Sequence, residues 1–237
     1  MPRNAGRSPA KRSIDLLFQP SSDPNKPLVY YSYYFNQMLI YLHPETPEAR
    51  HMKRVLEIFE KGGIVVYPTD SGYSMGCDAR NRTAVNKLYH LKRAMKKYFM
   101  ALMAHDFSTV SDFAKVDNFA YRYMKKLVPG PYTFVLPATS LGKKILDAKR
   151  PEVGVRMPRH PFADALFQLK PDILLLTTAA KIWEDENFID PSEIEETFGY
   201  EVDLVLDMGP IALNPTTIIS LVNGEPEVIR EGQGPVP

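Results

Sequence analysis

Hydroxyl and guanidinium side chains recur where the strands of this sequence should begin or end. Thr69-Asp70-Ser71 follows the apolar run 63–67, and Thr177 and Thr178 close the run 173–178. Thr216 and Thr217 open another, Thr133 lies just past Pro129-Gly130-Pro131, and Arg156 interrupts Val153-Gly154-Val155. In open α/β sheets ligands collect at the carboxyl ends of strands. Hydroxyls interspersed with Arg and Lys suit phosphate and carboxylate groups. Threonine is also a good strand former, so each one alone says little. Arg156 says more, because a guanidinium amid valines requires an anionic partner from the protein or from a ligand.

Most other catalytic templates are absent. There is no Gly-x-x-x-x-Gly-Lys loop and no Gly-x-Gly-x-x-Gly after a strand. The five histidines (His43, His51, His90, His105 and His160) show no metal-ligand spacing, so no protein-held metal is expected. Cys77 is the single cysteine, which rules out an internal disulfide and a cysteine-based zinc site and points to a reducing compartment. Gly72-Tyr73-Ser74-Met75-Gly76 matches the Gly-x-Ser-x-Gly nucleophile elbow. That motif needs a strand running straight into the serine and a helix leaving it, with an acid and a histidine later in the chain. Residues 68–71 intervene here, which leaves a serine hydrolase acting through Ser74 as a remote alternative.

The elements that must position these residues are legible in outline. At 237 residues, 44% hydrophobic and 11% aromatic, the chain can bury one substantial core, excluding wholesale disorder and small disulfide scaffolds. No apolar run approaches the ~18 residues of a membrane span, so a soluble cytoplasmic protein is expected. Residues 1–37, basic at first and then rich in Pro, Ser and Asn, read as a flexible extension, and 38–237 as the folded domain. The first helix is expected over 46–61, with Thr46 as cap and Pro47 at the first helical position. A strand over 63–67 should end at Pro68. Further helices are expected over 83–93, 108–114, 117–127 and 161–169 and from Asp190 onward. Strands are expected over 98–103, 132–136, 153–157, 173–178 and 203–206, then a hairpin around Asn223-Gly224. Alternating strands and helices that end in a hairpin give an α/β domain with a mixed sheet. Charge is unevenly spread: residues 80–126 carry eleven Lys and Arg against three Asp, and residues 182–237 carry thirteen acids against Arg230. The basic stretch is a candidate site for an anionic partner.

The run Lys61-Gly62-Gly63-Ile64-Val65-Val66-Tyr67-Pro68-Thr69-Asp70-Ser71-Gly72-Tyr73 resembles the opening signature of the YrdC/YciO-like domain family, the threonylcarbamoyl-adenylate synthase superfamily. The similarity continues in order through Pro129-Gly130-Pro131-Tyr132-Thr133, Val153-Gly154-Val155-Arg156-Met157-Pro158, Asn214-Pro215-Thr216-Thr217-Ile218 and Val228-Ile229-Arg230-Glu231-Gly232. It implies a single α/β domain, a twisted mixed sheet with flanking helices and a large basic concave cavity. It also implies binding of nucleotides and double-stranded RNA. The best-known activity is L-threonylcarbamoyl-adenylate synthesis from threonine, bicarbonate and ATP, on the way to a modified adenosine in tRNA. By this resemblance Thr69, Arg156 and Thr216 would contact substrate, and Lys92, Arg93, Thr133, Thr177 and Arg230 the nucleotide, with Mg²⁺ bound through the ATP phosphates. The basic stretch, with Arg80, Arg82, Lys96 and Lys97, would hold RNA. Tyr89, Tyr98, Tyr121 and Tyr123 interleave with it, although their helical spacing points to core packing. The synthases carry Lys-x-Arg and later Ser-x-Asn. Here Ala94 stands two residues after Lys92, and Ala179 and Lys181 stand at the Ser and Asn positions. Moving a guanidinium one residue along a helix swings it ~100°, so Arg93 is not an obvious substitute. These departures resemble the YciO branch. They set a synthase beside a non-catalytic RNA-binding module as the two main expectations.

Overall fold

The computed structural model describes residues 38–92, 100–146, 151–181 and 190–236. The expected extension 1–37 and the candidate residues Arg93, Lys96, Lys97 and Tyr98 lie outside the described residues. Ten strands form one mixed sheet: β1 (Leu39–Tyr41), β2 (Val65–Thr69), β3 (Gly72–Asp78), β4 (Ala101–Met103), β5 (Tyr132–Pro137), β6 (Glu152–Arg156), β7 (Leu175–Ala179), β8 (Leu204–Asp207), β9 (Thr217–Ser220) and β10 (Glu227–Arg230). Their order is β1-β8-β2-β3-β7-β4-β6-β5-β9-β10. The helices are α1 (Ala49–Glu60), α2 (Arg82–Lys92), α3 (Phe107–Ser111), α4 (Asn118–Met124), α5 (Ser140–Ile145), α6 (Pro161–Leu169) and α7 (Pro191–Phe198). None is long and apolar enough to cross a membrane.

Successive side chains of a strand point to opposite faces, and here they enter two separate cores. Val66, Leu102, Phe134, Val155 and Leu176 join a first core with Leu88 of α2, Val110 of α3, Met124 of α4 and Phe198 of α7. Val65, Tyr67, Met103, Leu175 and Leu204 join a second with Met52, Val55 and Phe59 of α1 and Phe162, Leu166 and Phe167 of α6. Tyr67 stacks on Phe162 with ring centroids 4.7 Å apart. The second core stops at β4. Beyond it, β5 alternates between buried residues and the half-buried Thr133, Val135 and Pro137, and Gly154 of β6 and Ile218 of β9 are half-buried too. Over β6, β5, β9 and β10 this sheet face therefore has no helical cover among the described residues.

Several elements differ from the sequence expectation, each for a local reason. α1 begins at Ala49 rather than Thr46 because residues 43–46 form a bend around His43, whose Nδ1 accepts from Thr46 N at 3.1 Å. Pro68 does not end β2. It lies within the strand opposite Tyr73, at a level where the parallel neighbour β8, paired only with Val65 and Val66, no longer runs alongside. β3 was not expected at all. It places Ser74, 2% exposed, in mid-strand between Tyr67 and Ala179. A strand-turn-helix elbow therefore does not exist here, and the hydrolase reading of Ser74 falls. β1 and α5 also escaped the sequence reading.

Candidate anion-binding site

Two guanidiniums and a pair of hydroxyls line up across the strands of the uncovered half. β5 and β6 are antiparallel with Phe134 opposite Val155, so one further step along each sets Thr133 beside Arg156. β9 runs parallel to β5 with Ile218 opposite Thr133, and β10 brings Arg230 opposite Ile218. Thr133 Oγ1 and Thr216 Oγ1 are 2.9 Å apart. Arg230 donates from Nη2 and Nε to the Thr216 carbonyl at 2.8 and 3.2 Å.

The turn between β2 and β3 meets this row from the other half of the sheet. Thr69 Oγ1 donates to the Gly72 carbonyl at 2.8 Å and accepts from Ser71 N at 3.2 Å, closing a side-chain turn. That turn presents Asp70 and Ser71 to Arg156, whose Nη2 donates to Asp70 Oδ1 at 2.6 Å and to Ser71 Oγ at 2.9 Å. The chain after β10 adds a third support. Gln233 Nε2 donates to the Asp70 carbonyl at 2.6 Å, and Thr217 Oγ1 accepts from Gly232 N at 3.0 Å. The guanidinium amid valines thus has its protein partner. Gln233 was not foreseen, since nothing in a Gly-Gln-Gly tail separates it from an ordinary surface amide.

The electrostatic balance favours an anion. Burial pushes the Asp70 carboxyl above the usual carboxylate range, with Arg156 opposing the rise. Burial lowers the Arg230 pKa, and the nearby charge of Arg156 adds to that. Asp70 is the one carboxylate hydrogen-bonded into the network among the described residues. Arg156 is 8% exposed, and its Nε is buried with no hydrogen-bond partner. A buried donor left unpaired costs about 1–3 kcal/mol.

The remaining candidates are distributed differently. Thr177 is buried in β7, two strands from β6, where its hydroxyl accepts from Tyr67 Oη at 2.8 Å, and burial raises the Tyr67 pKa. Lys92 is 1% exposed. Its Nζ donates to the Ala179 carbonyl at 2.7 Å and to the Lys181 carbonyl, and lies 5.7 Å from the Phe198 ring centroid. Burial, reinforced by the charge of Lys181, pushes its pKa down to about 7. Arg80 and Arg82 belong elsewhere. Arg80 donates to the Asp172 carbonyl at 2.6 Å and stands over Phe113 of the first core, on the opposite face from the row. No three His, Cys, Asp or Glu side chains cluster as a metal site among the described residues.

Known proteins resemble this chain in sequence and fold. The Sua5/YciO/YrdC family model, described as "Telomere recombination", matches residues 57–232. YciO of Escherichia coli (strain K12) is 36% identical over 197 residues, covering 83% of this chain and 96% of its own. Its crystal structure superposes with a TM-score of 0.75, covering 84% of this chain and 97% of that one. A threonylcarbamoyl-AMP synthase of Idiomarina loihiensis is 31% identical over 169 residues, covering 70% of this chain and 90% of its own. At the level of fold, P. abyssi Sua5 complexed with L-threonine matches with a TM-score of 0.73 at 23% identity, over 82% of this chain and 57% of that one. A match over most of the length, with Thr69, Thr133, Arg156, Thr216 and Arg230 each within the matched span, makes this chain a member of the Sua5/YciO/YrdC family.

Proposed function

We propose that the uncovered half-face binds an adenine nucleotide together with a small carboxylate, and that its chemistry is of the threonylcarbamoyl-adenylate type. The observation that carries this reading is Arg156, a buried guanidinium with an unpaired Nε beside the Thr133–Thr216 hydroxyl pair and Arg230. The 31% identical relative named as a threonylcarbamoyl-AMP synthase supports the reaction class. In that reaction the threonine amine adds to CO₂ from bicarbonate and loses a proton, giving a carbamate. A carbamate oxygen then attacks the α-phosphorus of ATP, and the bond between that phosphorus and the α,β-bridging oxygen breaks, with pyrophosphate leaving and carrying the electron pair. Little proton shuttling is required, so positioning and charge neutralisation suffice. Arg156 would hold a carboxylate or phosphate oxygen, and Arg230 would neutralise charge on the phosphates. Thr69, Thr133 and Thr216 would orient the substrate through their hydroxyls. Mg²⁺ would arrive on the nucleotide's own oxygens.

Pyrophosphate release from ATP by the purified chain, with threonine and bicarbonate each present or omitted, tests this directly. Turnover that needs both supports the synthase reading. Nucleotide binding without turnover leaves a binding protein in which Ala179 and Lys181 have displaced the chemistry. Failure to bind ATP at all overturns the proposal.

A second reading, RNA binding, rests on α4. Tyr121 is 38% exposed with Lys125 Nζ 5.5 Å from its ring centroid, and Arg122 and Lys126 are exposed beside it. An accessible aromatic among cations is suited to stacking on unpaired bases.

A further inference from the structure

A cavity of about 340 Å³ opens on the other face of the sheet, between the start of α2 and α5. Val85 and Phe113 of the first core form its apolar floor, and Leu141, 45% exposed, stands at its mouth. Arg80, Arg82 and Lys144 supply cations around it, and among the described residues no carboxylate lines it. The Arg80 guanidinium is fixed in place. Its Nη1 donates to the Asp172 carbonyl at 2.6 Å, its Cζ lies 5.8 Å from the Phe113 centroid, and its backbone N–H is held by Asp78 Oδ1 at 2.8 Å. Nothing in the nucleotide reading uses this cavity, because Thr133 and Arg156 face the opposite side of the sheet from Phe134 and Val155.

We infer that this cavity binds a small amphiphilic anion, an aromatic ring system carrying a phosphate, sulfonate or carboxylate. The size falls within the ~300–1,000 Å³ of small-molecule sites, which combine an apolar lining with a few placed polar groups. An apolar floor takes the ring. A guanidinium already seated on an aromatic face offers a second flat surface for stacking. Three cations, with no lining carboxylate among the described residues, select a ligand whose polar end is negative. The three cations come from two segments, the β3–α2 connection with the first turn of α2 and the last turn of α5, so the charge surrounds the cavity rather than lying on one helix.

The test uses 8-anilinonaphthalene-1-sulfonate, an aromatic sulfonate whose fluorescence rises in apolar surroundings, titrated into the full chain. One saturable site is expected, weakening as salt is added. Arg82 and Lys144 are exposed, so the double variant R82E/K144E reverses charge without touching the core. It should weaken dye affinity at least tenfold. Leu141→Trp should do the same by filling the mouth. Circular dichroism confirms that both variants fold, and their ATP affinity at the Arg156 row should match the parent's. An enhancement that never saturates, or dye affinity unchanged in both variants, puts the dye elsewhere and overturns the inference. Neither result bears on pyrophosphate release, so this site and the nucleotide site stand or fall separately.

Discussion

Arg156 holds the fold together and, by the proposal, holds the ligand as well, so substitutions around it should separate the two tasks. Its ion pair with Asp70 has side chains only 10% and 11% exposed. Removing one member of such a pair leaves an uncompensated buried charge, at about 3–5 kcal/mol. Arg156→Ala should therefore destabilise the chain by about that much in urea unfolding and abolish nucleotide binding. Asp70→Asn keeps an oxygen for the guanidinium while removing the internal anion that competes with a ligand. Its stability loss should be smaller, and ATP should bind tighter by roughly tenfold, about 1.4 kcal/mol, in calorimetric titration. Weaker binding by Asp70→Asn would mean that the carboxylate serves the ligand rather than opposing it. Lys92 offers a pH test at the same scale. Its folded pKa is pushed down to about 7 from the ordinary 10.5, and a neutral amine still has two N–H groups for the Ala179 and Lys181 carbonyls. Between about 7 and about 10 the unfolded chain holds a proton that the folded chain has released, so stability rises with pH in that window. Lys92→Met should lack this rise. Parallel stability curves for the two proteins would show that Lys92 stays charged in its pocket.

The elements that carry the site were unequally visible in the sequence. Strands with apolar runs, such as β7 and β8, and the β9–β10 hairpin around Asn223-Gly224 declare themselves, and so do the capped α6 and α7. β3 does not, because Gly72, Ser74, Gly76 and Asp78 are poor strand formers. The structure explains the composition. A Cβ on Gly76 would lie 2.6 Å from Tyr67 Oη and 2.8 Å from the Leu176 carbonyl, and Gly72 sits at φ +109° in the turn. Close packing and turn geometry override strand propensity there. Arg156 was legible because a charge among valines is anomalous at the level of sequence. Its partners were legible only as a strand-end cluster, since pairing residues 86 apart needs the sheet order. Gly232 shows how the tail is tied to the row. A Cβ there would meet the Pro215 carbonyl at 2.2 Å and Thr216 backbone atoms at 2.4 and 2.6 Å, and backbone cannot move aside as a side-chain tip can. Gly232→Ala should push the tail off β9, losing the Gly232–Thr217 and Gln233–Asp70 bonds. ATP affinity should drop about tenfold or more while the Tyr67–Thr177 side of the sheet keeps its amide-exchange protection. Protection lost uniformly across the sheet would instead mark the tail as a keystone of the whole fold.

At the scale of the whole molecule, a net charge of +1 conceals two opposed halves. Residues 100–126, which include α4, supply Lys115, Arg122, Lys125 and Lys126, all exposed, while the exposed acids Glu193, Glu196, Glu201 and Asp203 belong to α7 and the chain before β8. Local concentrations of one charge attract an approaching polyanion even when the overall charge is near zero. If RNA docks on the basic side, each phosphate neutralised releases counterions, and the logarithm of affinity falls linearly with that of salt, by roughly 0.7–0.9 per contact. With Arg122, Lys125 and Lys126 contributing, the slope for tRNA should reach about −2 to −3, and the triple change to Gln should nearly flatten it. Because Arg122 lies on α4 and Lys125 and Lys126 directly follow it, with α4 packed on the first face and the Arg156 row on the second, that triple variant should keep its ATP affinity. Tyr121→Ala separates charge from stacking: it should weaken single-stranded RNA by about 1–3 kcal/mol per base stacked while leaving the salt slope unchanged. A salt-independent interaction, or one that the triple change leaves intact, would remove α4 from the RNA-binding surface and leave its cations as ordinary solvated charge.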